Sequence, residues 1–174
     1  MKKLYLLIFT ILILFVSCSK DDVNNEYLIG SWKLTAINLT TPLDTNNDGF
    51  SSLNLVEENP IIDAVLVFDD NVNGTINYNS IVSFSTRVEN GNLIFMVASS
   101  IRNDNEPKYF TYIENNNDLI IDEDITFNLV NNNTTLIIEN DTLTMRIKRG
   151  FVVKDINTRQ ESVEQDVTYI FTKK

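Results

Sequence analysis

From residue 30 onward, hydrophobic residues recur along the chain at a spacing of two, and no stretch keeps the spacing of an amphipathic helix for three turns. The clearest case is the segment 142–148, in which Leu143, Met145 and Ile147 alternate with threonines and basic residues. Such alternation is typical of an antiparallel strand with one face on a hydrophobic core and the other in water. The pattern therefore predicts an all-β domain.

The segment 81–101 predicts a β-hairpin. Three hydrophobic residues of its first half share one face: Val82, Phe84 and Val88. The pair Asn90-Gly91 in its middle favours a type I′ turn, because that turn needs positive φ at both central residues. The second half, 92–101, is apolar on both faces, which predicts a central strand or an oligomer contact.

Further β-rich runs, separated by Asn, Asp and Gly, cover the rest of the chain. They predict strands at 31–39, 61–68, 74–80, 108–114, 118–121, 124–130, 134–139 and 165–173. Turns are predicted at 69–74 and 131–133, where short polar residues cluster. Eight to ten short strands with hairpin connections predict an antiparallel barrel or a sandwich.

The first seventeen residues have the composition of a targeting segment. Lys2 and Lys3 precede an almost wholly apolar run at 4–15, which suits a signal peptide and is too short to cross a bilayer. The run leads to Ser17 and to Cys18, the only cysteine. This ending resembles the lipobox of bacterial lipoproteins, which implies cleavage before Cys18 and lipidation of its thiol. The alternative is an ordinary secretory signal.

The segment after the cysteine is polar, so it predicts a flexible tether. The chain is thus divided into a signal peptide at 1–17, a lipidated cysteine with its tether at 18–26, and one domain at 27–174. The letters SKDD at 19–22 resemble the export signal of Bacteroidetes lipoproteins that are displayed on the cell surface. That resemblance implies an outer-membrane location at the cell surface. The alternative is a solvated linker without a sorting role.

Composition narrows the function classes. The net charge of −10 becomes −12 when Lys2 and Lys3 leave with the signal. Because an acidic surface repels phosphate backbones, we expect no nucleic-acid partner. The chain has no histidine, and no thiol remains once Cys18 is lipidated. These absences remove the Ser-His-Asp triad, the cysteine nucleophile and zinc sites built on His or Cys, so we expect a non-enzymatic protein.

The segment DTNNDGFSSLN at 44–54 has the spacing of a calcium-binding loop. Five residues would supply its oxygen ligands: Asp44, Asn46, Asp48, the carbonyl of Phe50, and Ser52 through water. The twelfth position needs a bidentate glutamate but holds Leu55, and no helix is expected to flank the loop. Calcium would therefore bind weakly, with a Kd on the order of 10⁻⁴–10⁻³ M. The equally weighted alternative is an Asx-rich turn with Gly49 at positive φ.

The stretch YLIGSWKLTAI at 27–37 resembles the G-x-W opening of lipocalins through Gly30 and Trp32, and it resembles lipocalin-like lipoproteins of Bacteroidetes more closely. The similarity continues through the acidic loop 44–54 and a strand–turn–strand unit at 57–78. It implies an up-and-down antiparallel β-barrel of about eight to ten strands, closed at one end by Gly30 and Trp32.

The resemblance further implies a barrel whose mouth or lumen holds a small apolar molecule. A barrel of about eight strands can instead be filled by its own side chains. Five residues are candidates for either role: Phe68, Phe84, Phe95, Met96 and Met145. Three functions stay open: a lipid-anchored barrel with a small hydrophobic ligand, an accessory partner-binding subunit of an envelope uptake or assembly complex, and a carboxylate-dependent hydrolase. Contact with the membrane is expected through the lipid anchor.

Overall fold

A computed structural model of the chain describes residues 25–78, 80–101, 107–115, 118–121 and 134–174. The signal segment, Cys18, the predicted strand 124–130 and the predicted turn 131–133 lie outside these residues. Two short helical elements are described, a 3-10 turn at Asn25–Tyr27 and the helix α1 at Leu55–Glu58.

The described residues form eleven strands. They are β1 (Gly30–Leu43), β2 (Ser52–Asn54), β3 (Ala64–Phe68), β4 (Asn73–Tyr78), β5 (Ser80–Glu89), β6 (Asn92–Ile101), β7 (Lys108–Asn115), β8 (Asp118–Ile121), β9 (Thr134–Glu139), β10 (Thr142–Asp155) and β11 (Glu161–Lys173).

Eight of the strands, β1, β3, β4 and β7 to β11, form a closed antiparallel barrel in which each strand pairs with the next barrel strand along the chain. The barrel closes where the first and last strands pair, with Trp32 opposite Lys173 and Leu39 opposite Val167. The prediction of an all-β, up-and-down barrel is therefore confirmed. Closure leaves no free edge within this ring of strands, which is how barrels avoid unwanted strand pairing.

The side chains that face into the barrel form its hydrophobic core, as the alternation of Leu143, Met145 and Ile147 predicted. The largest fully buried side chains are Trp32, Phe68, Phe171, Leu28, Leu34, Leu66, Ile76, Leu119, Ile121, Leu136 and Leu143. Phe68 packs edge-on against Tyr112, with ring centroids 5.3 Å apart. Phe68 and Met145, proposed from the sequence as residues that either line or fill the barrel, are both buried in this core.

Strands β5 and β6 form a hairpin that lies outside the barrel, between β4 and β7 in the chain. Its turn is the predicted one, with positive φ at Asn90 and Gly91. The hairpin joins the barrel by a short parallel pairing of β5 with β10, in which Lys154 lies opposite Ser85.

Within the described residues the prediction that 92–101 is a central strand is wrong, because β6 stands at the end of their sheet order and pairs with β5. Val88, which the pattern places on one face with Val82 and Phe84, is 62% exposed. The hairpin is thus exposed near its turn at Asn90 and Gly91. Phe95, nearer the middle of β6, is buried.

Several predicted strand boundaries also need correction. Strand β1 continues to Leu43 instead of ending at 39, and β11 begins at Glu161 instead of 165. The strand expected at 61–68 begins only at Ala64, because Ile62 N donates to Asn59 O and closes a turn before it. The strand expected at 74–80 ends at Tyr78, and Ser80 already begins the hairpin. The predicted strands at 118–121 and 134–139 have the expected bounds.

Candidate functional site

An apolar cavity of about 190 Å³ lies between the barrel and the hairpin. The barrel contributes Ile37 from β1, Phe151 and Val153 from β10, and Val167 and Tyr169 from β11. Strands β1, β10 and β11 are the longest in the barrel, with 14, 14 and 13 residues. Each continues beyond its pairing with the shorter neighbouring strand or, for β11, beside the extensions of β1 and β10. The cavity therefore belongs to the extension of the barrel wall.

Close contact between β10 and β11 shapes this wall. The pairing of the two strands shifts register between Ile147 and Phe151, which marks a β-bulge. Gly150 lies in the bulge and lines the cavity. A Cβ atom there would collide with the side chain of Val167, so the two strands approach as closely as they do only because residue 150 is glycine.

The opposite wall comes from outside the barrel. Strand β5 contributes Val82 and Phe84, and Phe84 meets Phe151 edge-on with ring centroids 5.2 Å apart. The helix α1 and the turn after it contribute Leu55 and Ile62. Phe84 was proposed from the sequence to line or fill the barrel, and that placement is wrong, because Phe84 lies on β5 and lines a cavity outside the barrel.

Asn54 holds α1 against the barrel. Its side-chain oxygen accepts from Val56 N at 3.0 Å, which caps the helix, and from Ile37 N at 3.1 Å. The cap places Leu55 on the cavity while the loop before it stays at the surface. The sequence analysis expected no helix next to this loop, and that expectation is wrong by this single turn, which Asn54 initiates.

The hairpin is attached around one buried threonine. Thr86 is fully buried, its hydroxyl shares a hydrogen bond with the Ser162 hydroxyl, and its carbonyl accepts from Ile156 N at 2.8 Å. At the start of β5, Ser80 Oγ donates to Ile61 O at 2.8 Å. These contacts hold β5 over the cavity with few backbone pairs.

Among the described residues that line the cavity, none is charged. Ser83 and Tyr169 are the members of this lining that carry hydroxyl groups. An apolar environment of this kind penalises a buried ion heavily, because nothing replaces the water that the ion loses. The cavity therefore suits an uncharged molecule, and it offers no acid–base pair for catalysis.

The acidic loop 44–54 is a network of hydrogen bonds to its own backbone. The two carboxylate oxygens of Asp44 accept from Asp48 N at 3.0 Å and from Gly49 N at 2.9 Å. Asn46 Oδ1 accepts from Asp48 N at 2.9 Å, and Asp48 Oδ1 accepts from Phe50 N at 2.8 Å. Gly49 has positive φ, as the turn interpretation predicted. The Asn46 and Asp48 bonds reach two residues ahead, as in Asx turns, whereas the Asp44 carboxylate reaches four and five residues ahead and closes the loop.

Three of the five predicted calcium ligands, Asp44, Asn46 and Asp48, come together in this network. Phe50 is exposed, and the Ser52 hydroxyl donates to the Glu57 carboxylate at 2.8 Å. Calcium needs six to eight hard oxygen ligands. Within the described residues no group of three or more acidic side chains can hold a metal ion. The side-chain oxygens of Asp44, Asn46 and Asp48 are of the type that calcium prefers, but they are too few. Backbone carbonyls and water would have to supply the remaining ligands.

Glu58 turns back toward the same loop from the end of α1. Its carboxylate is buried and accepts from Thr45 N at 3.0 Å. Asn59, also buried, donates to the Thr45 hydroxyl at 2.7 Å. Glu58 therefore supports the backbone of the loop from beneath, in a role that the sequence analysis did not assign to it.

Asn47 connects the loop to the hairpin. Its side-chain nitrogen donates to Phe95 O at 2.8 Å, and its side-chain oxygen accepts from Phe95 N at 3.1 Å. The amide thus occupies both backbone groups of Phe95 on β6, as a neighbouring strand would. Sequence reasoning missed this residue because position 47 supplies no ligand in a calcium loop. Its only signal was an asparagine at a turn position that tolerates positive φ.

Gly30 and Trp32 lie at the other end of the barrel. Trp32 is fully buried, its indole Nε1 donates to Leu28 O at 2.8 Å, and Lys173 Nζ lies 5.4 Å from its ring centroid. Gly30 has positive φ and lies beside the same lysine. The arrangement packs the start of β1 under the end of β11.

Tyr27 covers this end from outside. Its hydroxyl donates to the Glu114 carboxylate, and Lys173 Nζ donates to its backbone carbonyl. Burial, together with the hydrogen bond to Glu114 and its negative charge, raises the pKa of Tyr27 to about 12. The phenol therefore keeps its proton at any physiological pH.

The predicted lipidation site, Cys18, lies outside the described residues. In the ranges that the structure covers, no helix is both long and apolar enough to span a membrane. Comparison with known proteins adds no relative: no family model, no curated protein and no solved structure matches the chain.

Proposed function

We propose that this protein is a lipid-anchored, lipocalin-like barrel that binds a small apolar molecule and catalyses no reaction. The observation that carries the ligand proposal is the apolar cavity between β5 and the long barrel strands. Ligand sites are concave, mostly apolar and largely preformed, and this cavity has those properties beside a barrel core made of packed side chains.

The absence of enzymatic activity rests on residue types. The chain has no histidine, and its one cysteine is the proposed lipidation site. The lining of the cavity supports the same proposal, because it holds no carboxylate and no amine, and Tyr169 is its one titratable side chain among the described residues.

A native ligand is tested by extraction. The protein is purified from its own envelope and measured by native mass spectrometry before and after treatment with organic solvent. We expect a bound mass that the solvent removes and that is recovered in the extract. A bare polypeptide in both spectra would contradict ligand carriage.

The proposed anchor places the protein in the outer membrane and on the cell surface. The lipobox-like ending at Cys18 and the SKDD segment at 19–22 support it. Two acyl chains suffice for stable attachment. Metabolic labelling with a fatty acid should mark the wild type but not Cys18→Ala, and protease applied to intact cells should remove the domain. Unlabelled protein would contradict the anchor, and full protection would contradict surface display.

Weak calcium binding by the loop 44–54 belongs to the same proposal, with Asp44, Asn46 and Asp48 as its side-chain ligands. We expect one ion with a Kd of about 10⁻⁴–10⁻³ M by titration calorimetry. Asp48→Asn should weaken it, since that change removes a charge but keeps an oxygen. Identical heats for the wild type and Asp48→Asn would make the loop a turn without a metal.

The alternative function, a partner-binding subunit of an envelope complex, has one observation in its favour. Strand β6 is the last strand in the sheet order of the described residues, and Leu93 and Val97 on it are exposed. Edge strands of this kind pair with extended segments of other proteins. Crosslinking in intact envelopes through a photoreactive residue at Val97, with one at Tyr109 as control, tests it. A reproducible partner at Val97 alone would support this function.

A further inference from the structure

We propose that the cavity between the barrel and the β5–β6 hairpin selects an uncharged ligand about the size of one aromatic ring, and that β5 is the wall that sets this size limit. The inference rests on the proposed function, because it names the class of ligand and the residues that select it.

Volume sets the size of the ligand. The cavity holds about 190 Å³. A dry apolar cavity of about 150 Å³ accepts benzene, whereas sites for drug-sized ligands span roughly 300–1,000 Å³. The ligand, or the part of it that enters, is therefore a single ring or a short alkyl chain. A steroid or a whole fatty acid exceeds this volume.

The uncharged lining disfavours ionised ligands. No described residue of the lining is charged, so neither a carboxylate nor an ammonium group finds a partner inside. The net charge of −10 adds long-range repulsion for anions. A neutral hydrocarbon, phenol or lactone therefore fits better than the corresponding acid.

Strand β5 controls the limit because it is the wall least tied to the barrel core. Val82 and Phe84 reach the cavity from β5 and are only partly buried. The hairpin pairs with β10 only at Ser85 and Thr86, and its other attachments are the hydrogen bonds of Ser80, Thr86 and Phe95 described above. A larger residue at 82 fills the cavity without entering the barrel core, and a smaller one at 84 enlarges it.

The chain provides a matched control. Val88 lies on the same strand and the same face as Val82, but it is 62% exposed and does not line the cavity. The full-length protein in lipid nanodiscs is titrated with toluene and, separately, with benzoate, and its own methyl NMR signals are followed. The titrations are repeated for Val82→Phe, Val88→Phe and Phe84→Ala, the last also with naphthalene.

We expect toluene to shift signals of the cavity residues and to bind roughly a hundredfold more tightly than benzoate. Val82→Phe should weaken toluene binding roughly tenfold or more, and Val88→Phe should leave it unchanged. Phe84→Ala should admit naphthalene, which the wild type excludes. This gain keeps the test decisive even where Val82→Phe unfolds.

Two results would overturn the inference in different ways. Toluene binding that is equally strong in the wild type and in Val82→Phe, with no gain of naphthalene in Phe84→Ala, would move the site away from β5 and leave the proposed function intact. Absence of toluene binding in the wild type, together with no extractable native ligand, would remove the proposed function as well.

Discussion

The side chain of Trp32 contacts both the segment before β1 and the end of β11. Its ring is fully buried beneath Lys173, and its indole N–H satisfies the carbonyl of Leu28 just before β1. Tryptophan combines a large apolar surface with one donor, and this site uses both. The residue therefore stabilises the end of the barrel, and it is not among the described residues that line the cavity.

Trp32→Phe should destabilise the protein by about 1–3 kcal/mol, because the carbonyl of Leu28 loses its indole donor in a buried setting. The measurement is urea unfolding followed by circular dichroism. Tyr109→Phe is the control, since Tyr109 is 73% exposed and its change should stay within about 0.5 kcal/mol. Equal effects of the two substitutions would show that the buried hydrogen bond contributes nothing.

The raised pKa of Tyr27 predicts that the folded protein loses stability at alkaline pH. Its pKa in the folded state, about 12, lies above the ordinary value of about 10, so the folded protein holds this proton more tightly than the unfolded chain. The contribution is complete below pH 10 and is lost as the pH rises to about 12. The difference in unfolding free energy between wild type and Tyr27→Phe should therefore shift in this window. A difference that stays constant would contradict the contact with Glu114.

At the scale of elements, the hairpin depends on the loop 44–54. Asn47→Gly keeps the positive φ of that position and removes both hydrogen bonds to Phe95. With each bond worth about 0.5–1.5 kcal/mol, amide exchange in β5 and β6 should quicken by roughly one to two orders of magnitude. Asn140→Gly, at another turn position with positive φ, is the control and should leave this exchange unchanged.

Alternation in the sequence predicted strands well where one face meets the core. The strands at 118–121 and 134–139 show this, because their buried faces are set by a spacing of two. The alternation did not predict which strands lie beside 92–101. That strand is apolar on both faces, and the pattern cannot distinguish a strand inside a sheet from one at the edge of a hairpin.

The sequence patterns did not predict the cavity between the barrel and the hairpin. Its lining combines residues that are far apart in the chain, from Ile37 on β1 through Val82 on β5 to Tyr169 on β11. No local pattern shows which of these meet, since each is an ordinary inward-facing hydrophobic residue. The calcium-like spacing at 44–54 was visible because it is local, whereas the contact of Asn47 with Phe95 joins distant segments.

At the scale of the whole molecule, barrel and cavity are separable. Strands β4 and β7 pair directly, with Ile76 opposite Lys108, so the intervening hairpin is not needed for closure. Replacing 79–107 with Asn-Gly leaves a four-residue connection, a length that hairpins accept. We expect a folded but less stable barrel, by circular dichroism and thermal unfolding, that no longer binds toluene. A chain that stays unfolded would show that the hairpin is part of the barrel core.

The pairing of β1 with β11 also determines when the protein can fold. Trp32 finds its neighbour Lys173 only at the far end of the chain, and contacts between such distant residues form slowly. Until β11 is available, β1 and β10 each lack one of their two neighbours in the barrel, and the ring cannot close. During synthesis the ring of strands therefore cannot close before β11 has left the ribosome, which makes closure a late event in the folding of this domain.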